Sequence, residues 1–154
     1  MKKAAHIPKE YHSITPSLAF QNTPEAIEWY KNVFNASEKM RMNGPDNKVM
    51  HAELTIGDSI LFLGDANPKH NCVTPFDTKG NSIHLYLYVE DVDAVIKKAS
   101  QNGASVVMEP MDMFYGDRCG SINDPYGYTW MLATHVKDVT EKEMRKQVEE
   151  MPVA

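Results

Sequence analysis

The side chains best suited to chemistry in this sequence are two histidines and one glutamate, His51, Glu53 and His84. His51 and Glu53 stand two residues apart in the β-rich stretch VMHAELTI, so a strand would present both on one face. Imidazole and carboxylate groups bind zinc, iron or manganese, and a carboxylate can act as a general base. If His84 converges with this pair, the three form a metal site, with Glu53 as candidate catalytic base. If it does not, the two histidines are hydrogen-bonding groups in or near a cavity.

The other candidates for chemistry are weaker. Cys119 follows Arg118, and a cationic neighbour favours the thiolate form of cysteine. Tyr115, Asp117 and Arg118 in the stretch FYGDR would close one end of a cavity, bind an acidic substrate group or form a structural ion pair. Four histidines stand alone and are interpreted as surface residues: His6, His12, His70 and His135. The sequence contains no phosphate-binding glycine loop, dinucleotide fingerprint, nucleophile elbow or HExxH motif.

Composition limits the classes of function that fit. The chain has 154 residues, a net charge of −5 and 24% charged residues, which is typical of one globular domain or two small halves. An acidic balance without a basic stripe argues against nucleic-acid binding. Two widely separated cysteines without metal-binding spacing favour the reducing cytoplasm. Because no signal peptide or membrane-spanning apolar run is found, we expect a cytoplasmic protein with neither nucleic-acid nor membrane partners.

The order of predicted elements is strand, helix and three strands, twice in succession. Residues 1–13 are interpreted as a tail or edge segment, and a final exposed helix spans about 140–150, opened by the capping box of Thr140 and Glu143. Other local signals mark the ends of elements: Thr23 and Asp91 as helix caps, Asn35 and Gly103 as helix stops, and Gly57-Asp58 as a hairpin turn.

The two halves align with a shift of 68 residues, so that Ala36 meets Ala104 and Pro16 meets His84. Sequence identity between the halves is weak, but the order of elements agrees throughout. We therefore predict an α+β fold of two βαβββ repeats, at about residues 14–66 and 82–135.

Three stretches together resemble a known superfamily: ITPSLAF…TPEAIEWYKNVFNA, VMHAELTIGDSILFLGDA and YGDRCGSINDPYGYTWMLATHVKDVT. They are similar to the vicinal oxygen chelate superfamily, which includes glyoxalase I, extradiol dioxygenases and the fosfomycin and bleomycin resistance proteins. They look most like its PhnB-like branch, also called 3-demethylubiquinone-methyltransferase-like. The resemblance covers roughly residues 12–150. It implies a single glyoxalase-like domain with curved mixed sheets around a cavity, and a homodimer.

The resemblance also implies where metal-dependent relatives carry ligands, on the first and last strand of each repeat. Those four positions correspond here to Pro16, approximately Leu63, His84 and Met131. Met131 stands where the pattern DPxGyxxE has its glutamate, and a thioether is a weak ligand for such metals. Only His84 keeps a ligand side chain, so the usual metal set is incomplete.

Strand alternation predicts which side chains face the cavity. Apolar residues should pack under the helices: Met50, Ala52, Leu54, Ile56, Leu85, Leu87, Val89, Tyr128, Trp130 and Leu132. The predicted cavity residues are His51, Glu53, Leu61, Leu63, His84, Tyr86, Tyr88, Thr129 and Met131. Such an aromatic and methionine-rich lining is typical of small-molecule pockets, although plain core filling by Tyr86, Tyr88 and Met131 is the competing interpretation.

Two functions remain open. The first is a binding protein that holds a small, partly aromatic molecule without any cofactor. The second is an isomerase, lyase or glutathione-type transferase that uses zinc, manganese or iron, bound by His84 with His51 and Glu53. The methyltransferase label of the branch finds no support, because the sequence has no glycine-rich cofactor loop.

Overall fold

The computed structural model describes residues 4–152, which form two compact units, unit 1 up to residue 78 and unit 2 from residue 79. Each unit contains one four-stranded mixed sheet and the helix that follows its first strand. The predicted α+β fold of two βαβββ repeats is confirmed. The single domain over residues 12–150 stays a prediction. No helix of the described residues is long and apolar enough to cross a membrane.

Unit 1 has the strand order β1-β4-β3-β2, in which β1 is parallel to β4 and the other neighbours are antiparallel. Its elements are β1 (Ser17–Phe20), α1 (Thr23–Phe34), β2 (Ser37–Asn43), β3 (Val49–Ile56) and β4 (Ser59–Asp65). In the connection after β4, Pro68–His70 forms one turn of 3-10 helix.

Unit 2 repeats this order as β5-β8-β7-β6, again with one parallel pair, β5 and β8. Its elements are β5 (His84–Tyr88), α2 (Val92–Gln101), β6 (Ser105–Asp112), β7 (Asp117–Asn123), β8 (Thr129–His135) and α3 (Glu141–Glu149). The identical strand order in two sheets supports the internal repeat that the alignment predicts.

Helix caps are largely as predicted. Asp91 accepts a hydrogen bond from the backbone N of Ala94, and both bonds of the Thr140–Glu143 capping box are formed. The cap of α1 is Asn22 rather than Thr23, since the Asn22 side chain accepts from the backbone N of Glu25. Thr23 is instead the buried first residue of α1, and its backbone N donates to Asp65 Oδ1 at 2.9 Å.

The hairpin of β3 and β4 determines the two faces of the unit 1 sheet. The predicted turn Gly57-Asp58 is present, with Gly57 at φ +59°, and it pairs Ile56 with Ser59. Leu54 therefore lies opposite Leu61, on the buried side of the sheet. Asp65 is on the same side and accepts a hydrogen bond from the backbone of α1, so this side faces the helix. Glu53 lies opposite Phe62, on the other side. We call the side away from the helix the open face of the sheet.

Met50 departs from the predicted alternation. It is 71% exposed, whereas Val49 beside it is buried and donates its backbone N–H to Asp65 Oδ2. The register shifts between Met42 and Asn43, so Met50 is the extra residue of a β-bulge on β3. The bulge reverses the alternation at this end of the strand, and the prediction that Met50 packs under the helix is wrong.

The helix side of unit 2 is identified by the contacts of α2. A Cβ atom built on Gly120 of β7 would overlap Cδ1 of Ile96, and the backbone N of Val92 donates to Thr134 Oγ1 at 2.9 Å. Residues that share this face are buried or partly buried, as predicted: Leu85, Leu87, Trp130 and Leu132. The alternate residues of β5, β7 and β8 form the open face of unit 2.

Candidate functional site

The open face of unit 2 carries five predicted cavity residues on two paired strands. His84 pairs with Thr129, and Tyr86 pairs with Met131. Tyr86 is 46% exposed and Tyr88 is 61% exposed, with ring centroids 5.2 Å apart and planes inclined at 52°. Plain core filling is therefore wrong for the two tyrosines, which present their rings at the surface of unit 2.

A buried carboxylate, Asp117 at the start of β7, holds these tyrosines in place. It is 4% exposed and accepts hydrogen bonds at Oδ2 from the hydroxyls of Tyr88 (2.9 Å) and Tyr86 (3.2 Å). Its Oδ1 lies 2.7 Å from Nδ1 of His135. Burial by itself would raise the pKa of Asp117, but the bonds from His135, Tyr88 and Tyr86 outweigh it and keep the pKa below its usual range. Asp117 is thus an anion beneath two phenols.

His135 lies at the surface, as the sequence predicted, but it is not isolated, because it bridges two carboxylates. Besides Asp117 at Nδ1, it contacts Asp138 Oδ1 through Nε2 at 2.9 Å. The hydrogen bonds to Asp117 and to Asp138 raise the pKa of His135. An imidazole whose two nitrogens both face carboxylates is best satisfied as imidazolium, because both nitrogens then donate.

Cys119 lies under this cluster and away from Arg118. Its Sγ is 3.1 Å from the hydroxyl of Tyr86 and 3.5 Å from that of Tyr115, and the residue is fully buried. Burial, followed by the contact with Cys119, raises the pKa of the Tyr86 hydroxyl, which therefore stays protonated. Arg118 belongs to the helix side, where it pairs with two carboxylates, Asp93 and Asp112. The predicted activation of Cys119 by Arg118 is wrong because successive strand residues point to opposite faces.

Unit 1 contains a similar group on its own open face. Glu53 is 5% exposed and accepts from the hydroxyl of Tyr11 at 2.6 Å, while His51 Nε2 lies 3.0 Å from its other oxygen. Burial would raise the pKa of Glu53, yet the bonds from Tyr11 and His51 lower it overall. The ring of Phe62 meets the edge of His51 with centroids 4.8 Å apart. The predicted pair of His51 and Glu53 is therefore formed.

A lysine completes the group in unit 1. The ammonium of Lys39 lies 4.3 Å from the centroid of the Tyr11 ring, within the range of a cation–π contact, and 3.4 Å from a carboxylate oxygen of Glu10. The register of β2 against β3 shifts between Glu38 and Met40, so Lys39 is an extra, bulged residue. Tyr11 comes from the segment predicted as a tail or edge.

Leu61 and Leu63 are not part of the open face. Leu61 pairs with Leu54, and Leu63 pairs with Ala52, all of which are buried on the helix side. The prediction that they line the cavity is wrong, because a two-residue turn between Ile56 and Ser59 puts Phe62 next to Glu53. The residue of unit 1 that corresponds to Met131 on the open face is therefore Phe62.

The positions that the family resemblance assigns to metal ligands offer a poor donor set. Pro16 contributes only its carbonyl, which accepts from the backbone N of Phe62 at 2.9 Å, and Leu63 is buried and apolar. Met131 supplies a thioether, which leaves the imidazole of His84. Within residues 4–152, no three side chains of the His, Cys, Asp and Glu types are grouped as a metal site. These four residues do not fit a divalent ion.

A separate cavity of about 560 Å³ lies at one end of unit 1. Its walls include polar and thiol groups: Asp46, Lys48, Asn67, Lys69 and Cys72. None of the predicted site residues lines it, and no motif in the sequence points to it.

The sequence does not predict the contacts of four residues in these two groups: Tyr11, Lys39, Asp117 and His135. Tyr11 is separated from Glu53 by 42 positions, and the contact depends on how an irregular segment lies over the sheet. Asp117 and His135 carry a better signal, since they stand at the first and last positions of two predicted neighbouring strands, which pair in register.

Two βαβββ units of identical strand order, each with polar and aromatic side chains on the open face of its sheet, define the class of paired βαβββ proteins. The chain belongs to the glyoxalase/bleomycin resistance protein/dioxygenase superfamily, whose profile matches residues 12–132. The predicted membership is confirmed.

Individual relatives agree with this assignment. An uncharacterized protein of Mycobacterium bovis is 35% identical over 136 residues, which covers 86% of this chain and 90% of the relative. The structure of the PhnB protein from Bacillus cereus has a TM-score of 0.62 and 24% identity, covering 80% of this chain and 99% of the other. The fosfomycin resistance protein FosX from Listeria monocytogenes, complexed with Mn(II) and sulfate, has a TM-score of 0.64 and 14% identity, covering 89% and 97%. At these identities the structures support the fold alone.

Proposed function

We propose that the protein binds a small, partly aromatic organic molecule on the open faces of its sheets. The observation that carries this proposal is the exposed pair of Tyr86 and Tyr88, whose hydroxyls are both bonded to the buried Asp117. Two phenol rings held by a buried carboxylate are pre-organised for a ligand, since their side-chain entropy is already lost before binding.

The remaining predicted cavity residues lie on the same open faces, which are described for each unit separately. On unit 2 they are His84, Thr129 and Met131, which give one imidazole, one hydroxyl and one adaptable apolar side chain. On unit 1 they are His51 and Glu53, joined by Phe62. A mainly apolar and aromatic surface with a few polar groups has the composition of a small-molecule site.

Two free cysteines, Cys72 and Cys119, support our further proposal of a reducing cytoplasmic setting.

The test is a thermal-shift screen of the purified protein against small aromatic compounds, followed by calorimetric titration of each compound that raises the melting temperature. Tyr88→Ala should lower the affinity about 10-fold or more, because one aromatic contact contributes about 1–2 kcal/mol. Phe76→Ala is the matched control, as Phe76 is an exposed aromatic residue outside the strands. Equal losses in both variants, or no binding by any compound, would contradict the proposal.

The second candidate is a metal-dependent isomerase, lyase or transferase, whose candidate ligands are His51 and Glu53 in unit 1 and His84 in unit 2. The contact between His51 and Glu53 at 3.0 Å favours it. Metal analysis of protein purified without chelator separates the two functions. Stoichiometric zinc, manganese or iron that is lost in His84→Ala would support the enzyme and overturn the metal-free binding protein.

We also propose a homodimer. Its support is a set of apolar side chains exposed on β2 and β6, the second edge strand of each sheet: Met40, Met42, Val107 and Met111. Light scattering at several protein concentrations tests it. A mass of about 17 kDa at all concentrations would exclude the dimer, since the chain weighs 17.4 kDa.

A further inference from the structure

We propose that the molecule bound on the open face of unit 2 is an organic cation, whose ammonium group lies against the rings of Tyr86 and Tyr88 near Asp117. This inference rests on the proposed binding function and specifies the chemical class of its ligand. Three observations carry it: a cation bound in the same way within unit 1, the lack of such a cation in unit 2, and the negative charge beneath the tyrosines.

Unit 1 provides the precedent. There a tyrosine donates its hydroxyl to a buried carboxylate that a histidine also contacts, and the ammonium of Lys39 lies over the Tyr11 ring. Unit 2 has the same chemical parts, with Tyr86 and Tyr88 in place of Tyr11, Asp117 in place of Glu53, and a histidine at the carboxylate. A phenol that donates to a carboxylate has a more electron-rich ring, which attracts cations more strongly.

Unit 2 lacks a lysine of its own at this place. Asp117 does not stand at the position of Glu53 in the repeat, so Val107, 68 positions after Lys39, lies beside Ile122 and Ser121 and not beside Asp117. Among residues 4–152, no lysine or arginine lies over the rings of Tyr86 or Tyr88. The rings of Tyr86 and Tyr88 therefore carry no cation of the described residues, and both side chains are exposed.

The charges around the tyrosines favour a cation. Asp117 and Asp138 are two anions, and His135 between them supplies at most one positive charge, which leaves a net charge of about −1. Arg118 is on the opposite side of the sheet, paired with two carboxylates. With ring centroids 5.2 Å apart, one ammonium can lie within about 6 Å of both rings, the distance at which cation–π attraction is significant.

The experiment compares two compounds of the same shape that differ in charge, 4-(trimethylammonio)phenol and 4-tert-butylphenol. Each is titrated into the full-length protein by calorimetry at pH 7 and low salt. We expect the cation to bind about 10-fold more tightly than the neutral compound, because a partly desolvated cation–π contact contributes about 1–2 kcal/mol. Tyr88→Leu should remove this preference, whereas Tyr88→Phe should keep much of it, and both are checked for folding by circular dichroism.

The outcomes separate this inference from the proposed function. If both compounds bind equally, the binding function stands and the preference for cations is wrong. If the preference persists in Tyr88→Leu, the cation binds elsewhere and the assignment to unit 2 is wrong. If neither these compounds nor any other aromatic molecule binds, both proposals fail.

Discussion

Two buried carboxylates, Glu53 and Asp117, organise the polar chemistry of this protein. Each is nearly inaccessible to water, and each keeps a lowered pKa because phenol and imidazole groups donate to it. A buried carboxylate without such donors would be protonated more readily, and the tyrosines above it would lose their anchor. The positions of the tyrosine rings on the open faces therefore depend on individual hydrogen bonds to Glu53 and Asp117, and a conservative substitution can remove each of these bonds.

The contact of His135 with Asp117 should make stability depend on pH. The pKa of His135 is raised above its ordinary value of 6.5, so its contribution is fully present below pH 6.5 and is lost as pH rises through the raised pKa. We expect the urea midpoint of the wild type to fall between pH 6 and pH 9 by more than that of His135→Gln. His70→Gln, a change at an exposed histidine, is the control and should retain the wild-type slope. Equal slopes in all three proteins would contradict this role.

Asp124 performs a structural task in the turn before β8. Its Oδ1 accepts from the backbone N of Tyr126 and of Tyr128, each at 2.9 Å, and its Oδ2 accepts from Trp130 Nε1 at 2.9 Å. Asp124→Ala should lower the free energy of unfolding by about 2–4 kcal/mol, because buried donors lose a charged acceptor. Asp58→Ala, at the exposed hairpin turn, should change it by less than about 0.5 kcal/mol. Urea denaturation measures both, and similar losses would refute the argument.

At the scale of elements, the pattern of the sequence predicts most of the fold. Helix caps, the hairpin turn and the alternation of β5 and β8 follow from local rules, since each depends on a few neighbouring residues. The placement of Leu61 fails even though the predicted turn already implies the pairing of Leu54 with Leu61. The displacement of Met50 and Lys39 by bulges was not predictable, because a bulge depends on the partner strand.

The packing of α2 on its sheet requires the absence of a side chain at Gly120. A Cβ there would overlap Ile96 Cδ1 and would lie 2.9 Å from the carbonyl oxygen of Met108. Gly120→Ala should cost about 1–3 kcal/mol of stability through overpacking. Ile96→Val removes the overlapping methyl group and should cost about 0.5–1.5 kcal/mol alone.

The double variant of Gly120→Ala and Ile96→Val provides the check on this packing. It should lose less stability than the sum of the two single variants, because the valine leaves room for the new methyl group. The recovery should be partial, as the carbonyl of Met108 stays in place. Additive losses, measured by thermal or urea unfolding, would show that the two sites do not touch.

For the whole molecule, the repeat explains the architecture but not the site. The alignment of the two halves predicts identical sheets, and the structure confirms them. The functional groups differ between the repeats, since Glu53 and Asp117 occupy different positions along corresponding strands. Their partners come from distant positions of the chain: Tyr11 is 42 residues from Glu53, Lys39 is 28 residues from Tyr11, and His135 is 18 residues from Asp117. An alignment of the two halves does not reveal such contacts, nor the bulge that carries Lys39.

Because Cys119 is buried, the rate at which its thiol is modified reports on transient opening of unit 2. Cys119 lies beneath Tyr86 and Tyr115 in unit 2, whereas Cys72 is partly exposed in unit 1. A thiol reagent should modify Cys72 quickly and Cys119 only when unit 2 opens transiently. The labelling rate of Cys119, followed by mass spectrometry, then measures the transient opening of unit 2. The labelling rate of Cys72 in the same sample is the reference for the reactivity of the reagent. A molecule that covers Tyr86 should slow the labelling of Cys119 and leave that of Cys72 unchanged.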